Sequence, residues 1–139
     1  MERQPPQWLE VGEAPSKRRL AYLLQEGTGA PIVWLGGFRS DMRATKAEAL
    51  AEWARANGRT CLRFDYGGHG ESDGDFGSFT LSDWLGDAIA AIESLCRQPP
   101  ILVGSSMGGW VSLLATLARP DRIKGLVLVN PAQDFTEKL

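Results

Sequence analysis

The sequence is short of several things, and each scarcity excludes something. Cysteine occurs twice, at Cys61 and Cys96, and histidine once, at His69. The two cysteines are far apart and offer no metal-ligand spacing. That excludes a zinc or cluster module built on them, and both read as free thiols of a reducing compartment. Long hydrophobic runs are missing: none approaches the ~20 residues that a membrane-crossing helix needs. The first ten residues hold no apolar stretch of the secretory type, and Glu2 and Glu10 suit an organelle-targeting segment poorly. A cytoplasmic protein is therefore expected. Net charge is nearly absent, −2 with a pI of about 5.4, which argues against nucleic acid or an anionic membrane as the main partner. What remains is ordinary for a globular domain, with 43% apolar and 23% charged residues and no repeat. Residues 1–19 are polar and proline-containing and are expected to make a weakly ordered start.

Along the chain, short apolar runs alternate with amphipathic ones. Strands are expected at 8–11, 20–24, 31–35, 60–64, 101–103 and 125–129. Each is a short run rich in β-branched or aromatic residues and bounded by glycine or proline. Helices are expected at 45–57, 81–96 and 107–118. In the first, Ala47, Leu50, Ala51 and Ala54 share a face, Thr45 and Glu48 form a capping-box pattern, and Gly58 supplies the stop. In the second, Thr80 is the expected N-cap, and Trp84, Leu85, Ala88, Ile89 and Ile92 keep helical spacing. Strand–helix alternation with all-apolar strands predicts a three-layer α/β/α sandwich around a mostly parallel sheet. Ligands in such sheets bind at the carboxyl ends of the strands. The glycine-rich stretches at 36–37, 67–70 and 104–109 all fall at such ends.

The segment Gly104-Ser105-Ser106-Met107-Gly108 has the form G-x-S-x-G, with a strand before it and a helix after it. That is the context of a nucleophile elbow, a strained turn whose close neighbours must be small, which Gly104 and Gly108 are. The turn lifts Ser106 Oγ above the sheet at a helix N-terminus, where the Met107 N–H becomes one donor to an oxyanion. The second donor in such a site comes from the loop after an earlier strand. Here that is the Phe38 N–H, with Gly36 and Gly37 permitting the turn. Ser105 lacks the flanking glycines and is given no catalytic role. Arg39, Ser40 and Asp41 either order this loop, by an ion pair or an Asx-type turn, or touch substrate. The bland alternative is that both glycine-rich turns only join elements.

These residues also resemble a known family. Asp65-Tyr66-Gly67-Gly68-His69-Gly70-Glu71-Ser72 is similar to the D-x-x-G-H-G-x-S loop of the α/β hydrolases. The stretch 35–42 (LGGFRSDM), together with 104–110, resembles a subgroup of small esterases and acyl-protein thioesterases with mitochondrial and bacterial members. The resemblance covers about residues 20–132. It implies one partial α/β-hydrolase domain over 1–139, made of the first six strands. It implies hydrolysis of a small-molecule ester or thioester, or an acyl-protein, through an acyl-enzyme on Ser106. No metal and no organic cofactor is implied. Each oxyanion donor in comparable sites contributes roughly 3–4 kcal/mol.

The sequence departs from that pattern after Ser106. The order in this fold is serine, acid, histidine, and no histidine follows Ser106. His69 precedes the nucleophile, and in the family the matching residue shapes its loop. Asp121 lies in the turn before the strand at 125–129, and Asp134 where a cap begins in the family, so neither is read as the triad acid. The chain is therefore expected to be a fragment, inactive alone, with 125–129 an exposed edge open to association. The competing classes are a non-catalytic α/β module and a nucleotide-binding domain. The latter lacks both G-x-G-x-x-G and G-x-x-x-x-G-K-[ST].

Overall fold

The apolar runs become neighbouring strands in the computed structural model, which describes residues 4–129. The strands are β1 (Gln7–Val11), β2 (Arg18–Gln25), β3 (Thr28–Leu35), β4 (Arg59–Phe64), β5 (Ile101–Ser105) and β6 (Gly125–Val129). The helices between them are α1 (Thr45–Ala56), α2 (Leu81–Leu95) and α3 (Met107–Ala118). All six strands join one sheet in the order β1-β2-β4-β3-β5-β6. β1, β2 and β4 pair antiparallel in turn, and β4, β3, β5 and β6 run parallel.

The layers follow from handedness. The chain leaves β3 for β4 on one side and then returns past β3 to β5 on the other. Right-handed crossovers in opposite directions put their helices on opposite faces. α1 accordingly packs through Ala51 and Ala54 against Cys61 on one face. α2 and α3 cover the other with Trp84, Ala88, Ile92, Met107, Val111 and Ala115 against Val33, Leu35, Leu62 and Leu102. Those four strand residues are fully buried, and each contributes roughly 1.5–3 kcal/mol of apolar burial. The order of the strands turns back at β3, which lies between β4 and β5, and at such a reversal the carboxyl ends of parallel strands face a common crevice.

Several boundaries differ from the sequence reading. β2 starts at Arg18 and β1 pairs with it throughout, from Gln7↔Tyr22 to Val11↔Arg18, so much of the polar start is sheet. β3 begins at Thr28, because Thr28 pairs with Arg59 before a register shift. The capping box expected at Thr45 is not formed. Thr45 is already helical, the N-cap is Ala44 with no side-chain bond, and Glu48 turns instead to Arg63, 3.2 Å away. The turn at Asp41, whose carbonyl takes the Ala44 N–H at 3.2 Å, delivers the chain into α1 without a cap. At α2 the expected N-cap does form, as a reciprocal box between Thr80 and Asp83.

Candidate active site

A sharp strand-to-helix turn at Ser106 lies where β5 meets α3. Ser106 is the N-cap of α3 and takes φ 57°, ψ −119°, a region that costs a non-glycine residue about 1–3 kcal/mol and persists only where the surroundings enforce it. Gly104 and Gly108 are part of that enforcement. A Cβ on Gly104 would strike the Gly108 carbonyl and stand 2.5 Å from Ser112 Oγ. A Cβ on Gly108 would fall on the Leu35 carbonyl oxygen. The backbone of α3 is thus laid directly against the end of β3, and the turn between has no slack. Ser106 is exposed while Ser105 and Met107 on either side are buried. Its N–H donates to the Val129 carbonyl at 3.1 Å, which ties the turn to β6. Met107 is the first residue of α3, where backbone N–H groups have no intrahelical acceptor.

The loop after β3 lies beside this serine. A Cβ on Gly37 would be 3.5 Å from Ser106 Cβ and 3.9 Å from its Oγ. Phe38 follows, partly exposed, with its ring edge-on to Phe76 and Trp84 at 5.0 and 5.8 Å. Asp41 makes the Asx-type turn, its Oδ1 taking the Arg43 N–H at 2.8 Å. Arg39 makes no ion pair in this loop; its guanidinium lies 4.6 Å from the Phe76 ring centroid.

The loop after β4 clasps the loop after β3. Asp65 is buried, and its carboxylate takes the N–H groups of Met42 at 2.8 Å and Glu71 at 3.0 Å. Burial lifts the Asp65 carboxyl to about 6, against the pull of those two donors toward the ionised form. Tyr66 Oη donates to the Gly36 carbonyl at 3.2 Å. His69 is 3% exposed, and both its ring nitrogens are occupied. A carbonyl only accepts and an amide N–H only donates, so Nδ1–H donates to the Gly67 carbonyl and Nε2 accepts the Arg39 N–H, each at 3.1 Å. Burial lowers its pKa, which holds the ring neutral. A histidine so placed shapes its loop, as the resemblance implied, and has no nitrogen left to take a proton from Ser106.

The remaining candidates fall away from the crevice or outside the described residues. Asp121 stands in a 3-10 turn at Pro120–Arg122, which leads into the start of β6 and so lies at the opposite end of the sheet. Asp134 lies outside the described residues. The thiols of Cys61 and Cys96 are free and buried, pushed up to about 11 and about 12 by that burial, so neither is a nucleophile. Sequence reasoning missed the parts played by Tyr66 and Trp84, whose indole N–H donates to the same Gly67 carbonyl at 3.0 Å. A tyrosine and a glycine inside an eight-residue motif were the available signal. A cavity of about 750 Å³ opens at the far end of the sheet, between Glu26, Thr28, Thr60 and Gln98, and holds no nucleophile–base pair. Among the described residues no cluster of three His, Cys, Asp or Glu side chains is arranged for a metal ion, and no helix is long and apolar enough to cross a membrane.

A mostly parallel sheet with helices on both faces, carrying a serine on a strained strand-to-helix turn, defines an α/β-hydrolase of the serine class. A family model described as serine aminopeptidase, S33, matches residues 30–139, and the chain belongs to that hydrolase family. It is 42% identical over 120 residues to human mitochondrial palmitoyl-protein thioesterase ABHD10, covering 86% of this chain and 39% of that protein. The bovine counterpart is 38% identical over 138 residues, covering 93% and 45%. Among solved structures, a putative hydrolase from Agrobacterium vitis S4 superposes with a TM-score of 0.88 at 35% identity, covering 96% of this chain and 56% of that one. Mouse alpha/beta hydrolase domain-containing protein 10 superposes at 0.81 with 34% identity, covering 88% and 48%. The chain spans less than half the length of these curated relatives. Both are named as mitochondrial, which overturns the cytoplasmic placement expected above. Free thiols argued only against secretion, and acidic residues among the first ten were poor grounds for excluding an organelle.

Proposed function

We propose that this chain carries the nucleophile and the oxyanion site of a hydrolase for carboxylic esters or thioesters that works through an acyl-enzyme on Ser106. Ser106 Oγ attacks the carbonyl carbon and its proton passes to a general base. The N–H groups of Phe38 and Met107 hold the resulting oxyanion. Collapse expels the alcohol or thiol, which takes the proton back, and water then releases the acid by the same route. Among the described residues none is placed to act as the base, since His69 is committed at both nitrogens. Alone, the chain acylates slowly and turns over near background. The likeness to palmitoyl-protein thioesterases favours a thioester of a long acyl group, with an acylated protein as the substrate.

What carries this reading is Ser106 at positive φ, exposed beside the Gly37 backbone, over a helix pressed onto the end of β3. Acyl-enzyme trapping tests it. The protein is incubated with an activated acyl ester, with and without imidazole in solution as a substitute base, and its intact mass is followed. The expected result is one acyl group on Ser106, none in Ser106→Ala, and acylation about tenfold faster with imidazole, a fraction of what a positioned base supplies. Acylation elsewhere, or equal acylation of Ser106→Ala, refutes it.

A second reading, association through an open sheet edge, rests on β6. Among the described residues β6 pairs only with β5, and Val127 is 49% exposed. Sedimentation of the protein and of Val127→Lys separates the two: self-association lost in the variant supports the edge, and a monomer in both removes it.

A further inference from the structure

The peptide between Gly37 and Phe38 is held from both sides by the loop after β4. On one side, Tyr66 Oη donates to the Gly36 carbonyl at 3.2 Å. On the other, His69 Nε2 accepts the Arg39 N–H at 3.1 Å. The peptide groups flanking the one that carries the Phe38 N–H are therefore both fastened. Arg39 itself stands at φ 62°, a left-handed conformation that an arginine adopts only under constraint.

The fastening asks for unusual chemistry at residue 69. The side chain must donate to the Gly67 carbonyl on one edge and accept from a backbone N–H on the other, across a rigid plane. A neutral imidazole protonated on Nδ1 does this. Lysine and arginine have no acceptor, and an imidazolium would set two donors against each other at Arg39. The ring plane is fixed by Tyr66, Phe76 and Trp84, with centroids at 5.5, 5.1 and 5.0 Å. Phe76 and Trp84 also pack the Phe38 ring, so one aromatic cluster serves both loops.

We propose that His69 is a positioning residue of the hydrolytic site, with Tyr66 as its counterpart: as a neutral acceptor at Nε2 it fixes the Arg39 peptide and so aims the Phe38 N–H at the oxyanion formed on Ser106. This rests on Ser106 being the nucleophile. The assignment separates two substitutions that differ by one methylene. In His69→Asn the amide reaches the place of Nδ1 and keeps the Gly67 bond, while the acceptor for Arg39 is gone. In His69→Gln the side-chain oxygen reaches the place of Nε2.

The test is the second-order rate of Ser106 phosphonylation by a fluorophosphonate, with imidazole supplied as base, for the protein, His69→Asn, His69→Gln and Tyr66→Phe. Melting temperatures and the 15N signals of the His69 ring are recorded alongside. Misaiming one oxyanion donor forfeits part of the 10²–10³ that its removal costs. His69→Asn and Tyr66→Phe are therefore expected to slow about tenfold or more, and His69→Gln to stay within about threefold of the parent. The ring signals should show a proton on Nδ1 and none on Nε2. Phosphonylation of folded His69→Asn at the parent's rate overturns the proposal, as does a proton on Nε2. If His69→Asn does not fold, an unchanged rate in folded Tyr66→Phe overturns it instead. If the parent is not labelled at Ser106, the nucleophile reading fails and takes this proposal with it.

Discussion

An added methyl at Gly108 has nowhere to go. Its carbon would land on the Leu35 carbonyl oxygen, 2.5 Å from the Leu35 carbonyl carbon and 2.6 Å from the Gly36 oxygen. All three are backbone atoms at the end of β3, and backbone cannot swing aside as a flexible side chain can. Overpacking a close-packed site costs about 1–3 kcal/mol, and rigid neighbours put this one near about 3. Replacing glycine by alanine in a helix returns up to about 1 kcal/mol, so Gly108→Ala should lose about 2 kcal/mol net. For a chain of 139 residues this lowers the melting temperature by roughly 7 °C. Gly86 is the control, a glycine within α2 with nothing within 4 Å of its Cβ position. Gly86→Ala should gain about 1 kcal/mol and melt roughly 3 °C higher. Thermal unfolding followed by circular dichroism measures both. A Gly108→Ala protein that melts at or above the parent refutes the claim that α3 is pressed onto β3 at this residue.

Other outcomes follow from the same contacts. Thr80→Ala should cost about 1 kcal/mol through loss of the reciprocal cap, whereas Thr45→Ala, which removes no cap, should change stability by less than about 0.5 kcal/mol; urea unfolding distinguishes them. Asp65 binds its proton more tightly folded than unfolded, so its contribution falls as pH rises from about 4 to about 6. Asp65→Asn should flatten that slope and, by setting an amide donor against the Glu71 N–H, cost about 1–3 kcal/mol at neutral pH; urea unfolding across pH shows both. His69 has the opposite sign, because its neutral form is favoured by folding. With Asp87 and Arg39 the charges acting on it, its contribution is complete above its ordinary value of about 6.5 and is lost as pH falls below that. His69→Gln should not show this loss in the same titration. Arg18→Met should destabilise by about 3 kcal/mol, because Arg18 pairs at 2.7 Å with the buried Asp87 carboxylate; the melting temperature reports it.

The parts of this fold set by short-range chemistry were legible in the residues. The G-x-S-x-G run marked the end of β5 and the start of α3, because the glycines at 104 and 108 answer to atoms a few residues away and to one crossing strand. Thr80 read correctly as a cap for the same reason: its partner, Asp83, is three residues on. Thr45 misled because a capping pattern says which bonds are available, and the turn at Asp41 had already started the helix one residue earlier. The start of β3 was hidden because Thr28 is strand only by pairing with Arg59. The clasp between the two loops was the least legible part. Its bonds join residues 23 to 30 positions apart, and no spacing rule connects a tyrosine and a histidine in one loop to carbonyl and N–H groups in another.

In the proposed mechanism the Phe38 and Met107 N–H groups converge on whatever oxygen forms above Ser106. A crystal structure of the protein phosphonylated on Ser106 measures this directly. A phosphoryl oxygen is expected within about 3.2 Å of both nitrogens, with Ser106 still near φ 57°. A phosphoryl oxygen turned to solvent, or bonded to neither nitrogen, contradicts it.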